Sequence, residues 1–301
     1  MTIKGSFPLV LFILATLLAG LSYAGESSLE DERIIVRFDS PLRNPAREVL
    51  RIYPHIREEL LKTLGWKTDF RPEVVLVKDS VSFRNISGSD LVTAIAFPQK
   101  DLIVIDHSKM NIQPFTLETT LKHELCHLEL HHNIPGGKLP RWLNEGVCQW
   151  VTGGLSEIMT HKDRPTLRAA TLSNRIIRVE RLSESFPADE KELILAYEES
   201  ISIVEYIEKK FGAPGVTSIL ENMSKGDTVD SAVHKSLLIT LDELESRWRS
   251  SLVRKTSWFT YISEHMYEIL FSFAAMIAIY GFFVMLKKKK AYKDEQQEDE
   301  L

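Results

Sequence analysis

The chain has 301 residues, which is enough for one or two domains with a buried core. Its formal net charge of -5 at pH 7 gives no overall basic field, so we expect no nucleic acid among its partners. The composition is that of an ordinary globular protein except for two apolar runs, one near each end of the chain.

The N-terminal run has the pattern of a secretory signal peptide. Lys4 supplies a positive charge near the start, residues 9–18 are mostly apolar, and small residues stand at Ala24 and two positions before it. This pattern predicts a signal peptide over residues 1–24 that is cleaved after Ala24. An uncleaved N-terminal anchor is the alternative.

The C-terminal run is typical of a transmembrane helix. Residues 269–286 contain no charged side chain, and as a helix they would span about 27 Å, close to the thickness of a bilayer core. Four lysines, Lys287 to Lys290, follow directly and mark the cytoplasmic end. We therefore expect a single-pass protein of the cell membrane whose N-terminal domain is periplasmic or extracellular.

Together the two runs divide the chain into five units. The predicted units are a signal peptide at 1–24, an exported domain at 25–253, a juxtamembrane linker at 254–268, the transmembrane helix at 269–286 and a cytoplasmic tail at 287–301.

Within the exported domain the predicted strands precede most of the helices. Alternating or β-branched segments predict strands at 33–39, 72–79, 91–97 and 101–106, the last two forming a hairpin. The spacing of apolar residues predicts one early helix at 45–64. The later predicted helices are 115–132, 141–152, 190–211, 214–223, 228–236 and 241–253. The secondary structure of residues 165–180 is left open. This order predicts an α+β fold, a small mixed β-sheet followed by a mostly helical half.

The helix predicted at 115–132 carries two histidines one turn apart. On a helical wheel the leucines of this segment share one stripe, while His123 and His127 share another. Histidines at positions i and i+4 can bind one tetrahedral zinc ion through their ring nitrogens. Glu124 lies between the two faces, where it could reach a water molecule at the metal without being a ligand. A solvated helix with coincidental histidines is the alternative.

A third candidate ligand lies on the next predicted helix. Trp142, Glu145 and Cys148 fall on one face of that helix. A carboxylate on such a buried-looking face is costly unless it is paired or bound to a metal. Two histidines and one glutamate leave one coordination position open, as in catalytic zinc sites, whereas structural sites are usually closed by cysteines. The pattern therefore favours a catalytic zinc site.

These two segments resemble a known group of enzymes. "HELCH" (123–127) followed by "LPRWLNEGV" (139–147) resembles the gluzincin zinc metallopeptidases, the clan of thermolysin and the aminopeptidases, and more narrowly the bacterial peptidase MA-like domains. The segment "AYEESISIVEYIEKKFG" (196–212) is similar to a Tyr-x-x-Ser helix of those domains, a less specific signal. The resemblance covers residues 70–253 or so.

The resemblance implies a zincin-like fold in which the two histidines and Glu145 hold zinc and Glu124 is the general base. It also suggests Tyr197 as the group that stabilises the tetrahedral oxyanion. Packing of this tyrosine in the core is the alternative. The strand at 91–97 would be the edge strand that pairs with an extended peptide substrate. A strand that binds nothing is the alternative there.

The sequence departs from the family pattern at two cysteines. Cys126 and Cys148 stand where these domains usually have a small residue or threonine. Cys126 precedes one candidate ligand and Cys148 follows another by one turn, so the two sulfurs are expected to be close. A disulfide between them is one hypothesis for an exported domain. Two buried free thiols, or a thiolate that competes for zinc, are the alternatives.

These features together predict a membrane-anchored zinc metallopeptidase that hydrolyses peptide bonds of a peptide or protein substrate. The alternative is a catalytically inactive domain of the same fold that binds peptide or protein at the membrane surface.

Overall fold

The structure is a computed structural model that describes residues 26–298, apart from residues 111, 113, 135 and 155–165. The predicted signal peptide at 1–24 lies outside the described residues.

The described residues form one mixed β-sheet in their N-terminal part. Its strands are β1 (Glu26–Glu30), β2 (Ile35–Asp39), β3 (Glu73–Val77), β4 (Ala94–Phe97) and β5 (Leu102–Asp106). The order across the sheet is β1-β2-β3-β5-β4. The three central strands β2, β3 and β5 run parallel to one another, whereas β1 and β4 pair antiparallel at the two edges. The prediction of a small mixed sheet is confirmed, and β4 is an edge strand.

Helices account for most of the remaining chain, which confirms the predicted α+β class. They are α1 (Arg43–Leu64), α2 (Ser80–Ser87), α3 (Leu117–Asn133), α4 (Arg141–Val151), α5 (Thr166–Leu172), α6 (Val179–Glu184), α7 (Glu190–Phe211), α8 (Ala213–Ser224), α9 (Val229–Leu237), α10 (Leu241–Glu264) and α11 (Met266–Glu298).

The main hydrophobic core includes the region where α1 and α3 pack against the sheet, and it continues into the helical half. Helix α1 ends at Gly65, which adopts the left-handed conformation with φ 80° that glycine reaches without a steric cost. The buried side chains of α1 follow the spacing that predicted the helix: Val49, Ile52, Ile56, Leu60 and Leu64. The leucines of α3 are buried in this core, while His123 and His127 of the same helix face Glu145 of α4.

In the helical half, α4 packs closely along α7 because Gly146 has no side chain. A Cβ atom built at Gly146 would lie 2.5 Å from the backbone oxygen of Ser200 and 2.7 Å from Cγ2 of Val204. Both distances are too short for real contacts. The glycine next to Glu145 thus allows the close approach that holds α4, and with it that carboxylate, in position.

Three elements were missed by the sequence analysis, namely strand β1, helix α2 and the short helix α6. Strand β1 is a short edge strand with little hydrophobic alternation. Helix α2 contains few strong helix formers, and its ends define it instead. The Asp79 side chain accepts a hydrogen bond from the backbone N–H of Ser82, and Gly88 ends the helix at φ 71°. Strand β4 also begins at Ala94, three residues later than its predicted start.

The C-terminal part of the described chain is helical on both sides of residue 265. Residues Met266–Lys287 form a stretch that is long and apolar enough to cross a membrane, by length and composition. The predicted span at 269–286 lies within it.

Candidate metal centre

Helix α3 carries the two histidines on a face that is buried against α4. The helix begins with a reciprocal cap, in which the side chains of Thr116 and Thr119 each accept a hydrogen bond from the other residue's backbone N–H. His123 is 1% exposed, Glu124 0% and His127 7%. Polar side chains buried to this extent need hydrogen-bond or metal partners. The residues of α4 that face α3 therefore determine the chemistry of the site.

Glu145 on α4 is the residue that faces both histidines. Its Oε2 atom lies 3.6 Å from Nε2 of His127 and 3.9 Å from Nε2 of His123. One ligand atom from each of the three residues lies within 4.8 Å of the others. Tetrahedral zinc, with bonds of about 2.0–2.2 Å, separates neighbouring ligand atoms by roughly 3.4 Å. The two distances from Glu145 are near that value, so the group could hold one metal ion.

Hydrogen bonding within the site also fits a cation. Within the described part of the chain, neither ring nitrogen of His123 has a hydrogen-bond partner, and neither does Oε2 of Glu145. Leaving a buried polar atom without a partner costs about 1–3 kcal/mol. A metal ion bound by Nε2 of His123 and Oε2 of Glu145 would satisfy two of these three atoms. The residues present therefore fit a metal.

His127 has the protonation state that a metal ligand requires. Burial lowers its pKa to about 4, against the opposing effect of the Glu145 carboxylate, so the imidazole is neutral at pH 7. Its Nδ1 atom lies 2.9 Å from Oδ1 of Asn144. An amide oxygen can only accept, so Nδ1 carries the hydrogen and Nε2 keeps its lone pair facing Glu145.

The two oxygens of Glu145 have different surroundings. Burial by itself would raise the pKa of this carboxyl, but its polar neighbours, among them the Arg141 guanidinium, outweigh it and hold the pKa below the usual range. Oε1 lies 3.5 Å from a guanidinium nitrogen of Arg141, whereas Oε2 faces the histidines. Glu145 is therefore ionised at neutral pH, as a metal-binding carboxylate must be.

The structure places the remaining predicted site residues as follows. Glu124 is buried on α3, directly after His123. Tyr197 on α7 is also buried, and its ring lies 5.1 Å from that of Phe186 in an edge-to-face arrangement. The side-chain amide of Gln149 on α4 donates a hydrogen bond of 3.2 Å to the backbone oxygen of Tyr197, which links α4 to α7 at this level.

The hypothesis of a Cys126–Cys148 disulfide is not supported, because the structure has the alternative arrangement of two buried free thiols. Both cysteines are fully buried, and their side chains lie close to each other without a bond. Burial raises the pKa of Cys148 well above its usual value, so this sulfur is a thiol rather than the thiolate that disulfide exchange requires. Its Sγ atom lies 3.4 Å from Nδ1 of His127, so Cys148 helps to surround that imidazole.

Sequence reasoning missed two polar residues that contact the site, Asn144 and Arg141. Both belong to the segment that predicted Glu145. Asn144 immediately precedes that glutamate, and Arg141 stands one turn before it, where helical side chains at i and i+4 meet. The i,i+4 rule could have identified Arg141, whereas the contact between Asn144 and His127 needs the crossing of α3 and α4.

A sheet with an antiparallel edge strand, followed by two crossing helices with a His-Glu-x-x-His motif and a glutamate, is the architecture of a zincin-type domain. The chain belongs to the peptidase MA superfamily, whose model matches residues 78–254. That range includes β4, α3, α4 and α7.

Three solved structures similar to this chain are M1 zinc metallopeptidases. A point mutant from Deinococcus radiodurans has a TM-score of 0.42 and 14% identity, covering 74% of this chain and 50% of its own. The same mutant with a Tyr-Ser-Ala substrate has a TM-score of 0.40, with the same identity and coverage. A two-domain mutant bound to L-tryptophan has a TM-score of 0.40 and 14% identity, covering 76% and 51%. The chain thus spans about half the length of these structures. A comparison with curated protein sequences gives no match.

Proposed function

We propose that this protein is a zinc-dependent metallopeptidase that hydrolyses peptide bonds of a peptide or protein substrate. The observation that carries the proposal is the buried group of two histidines and a glutamate with unsatisfied ligand atoms. His123, His127 and Glu145 are the proposed ligands. Three protein ligands leave one position open, and membership of the peptidase MA superfamily agrees with this reading.

A bound zinc ion would act as a Lewis acid on the scissile carbonyl and lower the pKa of a water molecule in the open position. Glu124 accepts the proton of the attacking water and later donates it to the leaving amine. Its position directly after a proposed ligand supports a role beside the reacting atoms rather than as a ligand. Exclusion of bulk water from this buried site strengthens both roles.

Tyr197 is the proposed donor to the oxyanion that develops on the substrate carbonyl. Its position on α7, which packs against the ligand helix α4, supports this assignment. The contact with Phe186 holds the ring in one orientation. Tyr197→Phe, which keeps the ring and removes the hydroxyl, is expected to lower kcat by about 10²-fold or more with little change in KM. An unchanged kcat would leave Tyr197 as a packing residue.

The substrate is proposed to bind as an added strand along β4. The outer edge of β4 pairs with no other strand among the described residues. Its backbone groups are therefore able to hydrogen-bond to an extended peptide. Helix α3 packs on this strand, so a peptide bound there would pass near the histidines.

The domain is proposed to act at a membrane surface. The apolar helix at Met266–Lys287 supports a single span. The lysines that follow it favour a cytoplasmic tail, and the N-terminal apolar run favours export of the domain. Proteolysis of intact and lysed cells would locate the catalytic domain on one side of the membrane.

Glu124→Gln separates peptidase activity from metal binding. The full-length protein in detergent would be tested with a peptide library, beside Glu118→Gln as a matched control on the same helix. The expected result is that Glu124→Gln keeps its zinc and loses cleavage by at least about 10³-fold, because it removes the base and leaves the ligands. Full activity of this variant would refute the mechanism. A zinc-loaded wild-type protein that binds but never cleaves peptides would support the inactive binding domain instead.

A further inference from the structure

Arg141 is a cation beside the candidate metal centre that the proposed mechanism does not use. It is the first residue of α4, and its guanidinium lies 3.5 Å from Oε1 of Glu145. The side chain is 48% exposed, although its carboxylate partner is nearly fully buried. Arg141 therefore connects the buried ligand set to the surface of the domain.

The guanidinium also stacks on an aromatic ring. Its Cζ atom lies 5.0 Å from the ring centroid of Phe186. Phe186 in turn contacts Tyr197 and belongs both to a small apolar cluster and to the edge of the main core. This Phe186 cluster consists of Val92, Phe186, Leu193, Ile194 and Tyr197. Arg141 is thus fixed between a ligand carboxylate and the cluster that contains the proposed oxyanion donor.

This positive charge lies on the side of Glu145 that is not turned toward the histidines, since a guanidinium nitrogen is near Oε1 whereas Oε2 faces the imidazoles. A half-exposed guanidinium fixed by a ring and a carboxylate has the geometry that suits recognition of a second carboxylate, since its planar array of donors matches carboxylate oxygens.

We propose that Arg141 is a specificity-determining residue that binds a carboxylate of the substrate near the scissile bond. This inference rests on the proposed function and deepens it. The carboxylate has two possible sources, the free C-terminus of a short peptide or the side chain of an aspartate or glutamate. The apolar Phe186 cluster beside it would contact the adjoining apolar part of the same substrate residue.

Paired substrates test the proposal and distinguish the two sources. One pair has the same sequence with a C-terminal carboxylate or a C-terminal amide. In the other pair both peptides have an amidated C-terminus, and they differ only in having glutamate or glutamine at one position. For one of the pairs, we expect the full-length zinc-loaded protein to prefer the carboxylate member by about 10-fold or more in kcat/KM. The pair that shows the preference identifies the source.

Substitution of Arg141 is expected to remove this preference. In Arg141→Gln the ratio of kcat/KM within the pair should fall to about one, and in Arg141→Lys it should be intermediate, because lysine keeps the charge and loses the planar array of donors. Arg51→Gln is a matched control, since Arg51 is an exposed arginine on α1. An unchanged ratio in Arg141→Gln would overturn the proposal, as would equal loss on both members of the pair.

A binding measurement keeps the test independent of cleavage. Fluorescence anisotropy of the same labelled peptides would be measured with Glu124→Gln and with the double variant Glu124→Gln, Arg141→Gln. Tighter binding of the carboxylate peptide to the first protein and equal binding to the second would support the role of Arg141 even if no peptide is hydrolysed. Equal or absent binding of both peptides to Glu124→Gln would overturn it. The zinc content of each variant shows whether its metal site is intact, independently of peptide binding.

Discussion

Helix α3 carries two buried polar clusters whose hydrogen bonding differs. On one face, His123 and His127 meet Glu145, and several of their ligand atoms have no protein hydrogen bond within the described chain. On another face, Glu129 meets Arg57 of α1 and the loop residue Thr68, and both of its carboxylate oxygens accept hydrogen bonds from them.

The Glu129 cluster is closed by protein groups alone. Arg57 also donates to the backbone oxygen of Thr68 at 2.5 Å, and the Asn133 amide donates to the Thr68 hydroxyl at 2.9 Å. This cluster joins α3 to α1 and the following loop. The histidine cluster has a comparable burial without comparable pairing. The comparison indicates that the Glu129 cluster stabilises the fold, whereas the histidine cluster has ligand-type atoms without a protein hydrogen bond in the described chain.

A third buried carboxyl group, that of Glu199 on α7, is intermediate between the two clusters in its hydrogen bonding. Its ionisation is expected to have the largest effect on stability. Its Oε1 accepts a 3.0 Å hydrogen bond from the backbone N–H of Ile177, while Oε2 has no hydrogen-bond partner in the described chain. Burial raises its pKa to about 8, although that hydrogen bond and Arg249 oppose the rise.

Glu199 is therefore predicted to make stability depend on pH. The folded state keeps this proton up to about pH 8, whereas the unfolded chain releases it near the ordinary pKa of glutamate, about 4.3. Raising the pH between these values favours unfolding, by up to roughly 5 kcal/mol. Glu199→Gln, which imitates the protonated form, should lose less stability than the wild type over this range in denaturant titrations. Parallel pH profiles of the two proteins would contradict the assignment.

Isosteric substitutions of Glu129 and Glu145 compare the two clusters directly. In metal-free protein, Glu129→Gln should lower the free energy of unfolding by about 2–3 kcal/mol, because it weakens the hydrogen bonds to Arg57 and Thr68. Glu145→Gln should change it by less than about 1 kcal/mol, since fewer paired groups are lost. Denaturant titration with a chelator present would measure both. A larger loss in Glu145→Gln than in Glu129→Gln would reverse the comparison.

The histidine cluster also depends on the close packing of α4 and α7. Gly146→Ala would force a methyl group against the backbone of Ser200, and we expect a loss of about 2 kcal/mol in unfolding free energy together with weaker metal binding. Gly281→Ala is the control, because a Cβ at Gly281 has no neighbour within 4 Å. Wild-type stability in Gly146→Ala would show that the two helices separate without cost.

Two asparagines, one in each cluster, are expected to give the smallest effect of these substitutions. Asn144 orients His127, and Asn133 belongs to the Glu129 cluster. Asn144→Ala should weaken zinc binding by about 10-fold or more, since an unoriented imidazole is a poorer ligand. Asn133→Ala should leave the zinc affinity unchanged. Competition with a chromophoric chelator would measure both affinities, and equal affinities in the two variants would exclude the positioning role of Asn144.

Much of this architecture could be predicted from local patterns. The apolar spacing of α1 and the stop at Gly65 identified that helix, and the hairpin of β4 and β5 followed from their alternation. Strand β1 and helix α2 were missed because neither has strong hydrophobic periodicity. Helix α2 depends on Asp79 and Gly88 at its ends, which a search for periodicity does not detect.

The candidate site was predictable to the extent that it is helical. The i,i+4 pair on α3 and the carboxylate on α4 follow from helix geometry and the cost of burying charge. The contact of Asn144 with His127, the stacking of Arg141 on Phe186 and the approach of Ser200 to Gly146 depend on how helices and loops cross. No local pattern defines those crossings. The disulfide hypothesis was also a statement about such a crossing, and the structure has two free thiols there.

The metal content of the purified full-length protein tests the central claim most directly. Mass spectrometry of wild-type protein prepared without chelator should find about one zinc ion per chain, because three ligands converge on one position. Glu145→Ala should lose the metal or bind it far more weakly, while Glu129→Ala should retain it. No zinc in the wild-type protein, and none taken up when zinc is supplied, would contradict the account and leave His123, His127 and Glu145 as a buried polar cluster without a ligand.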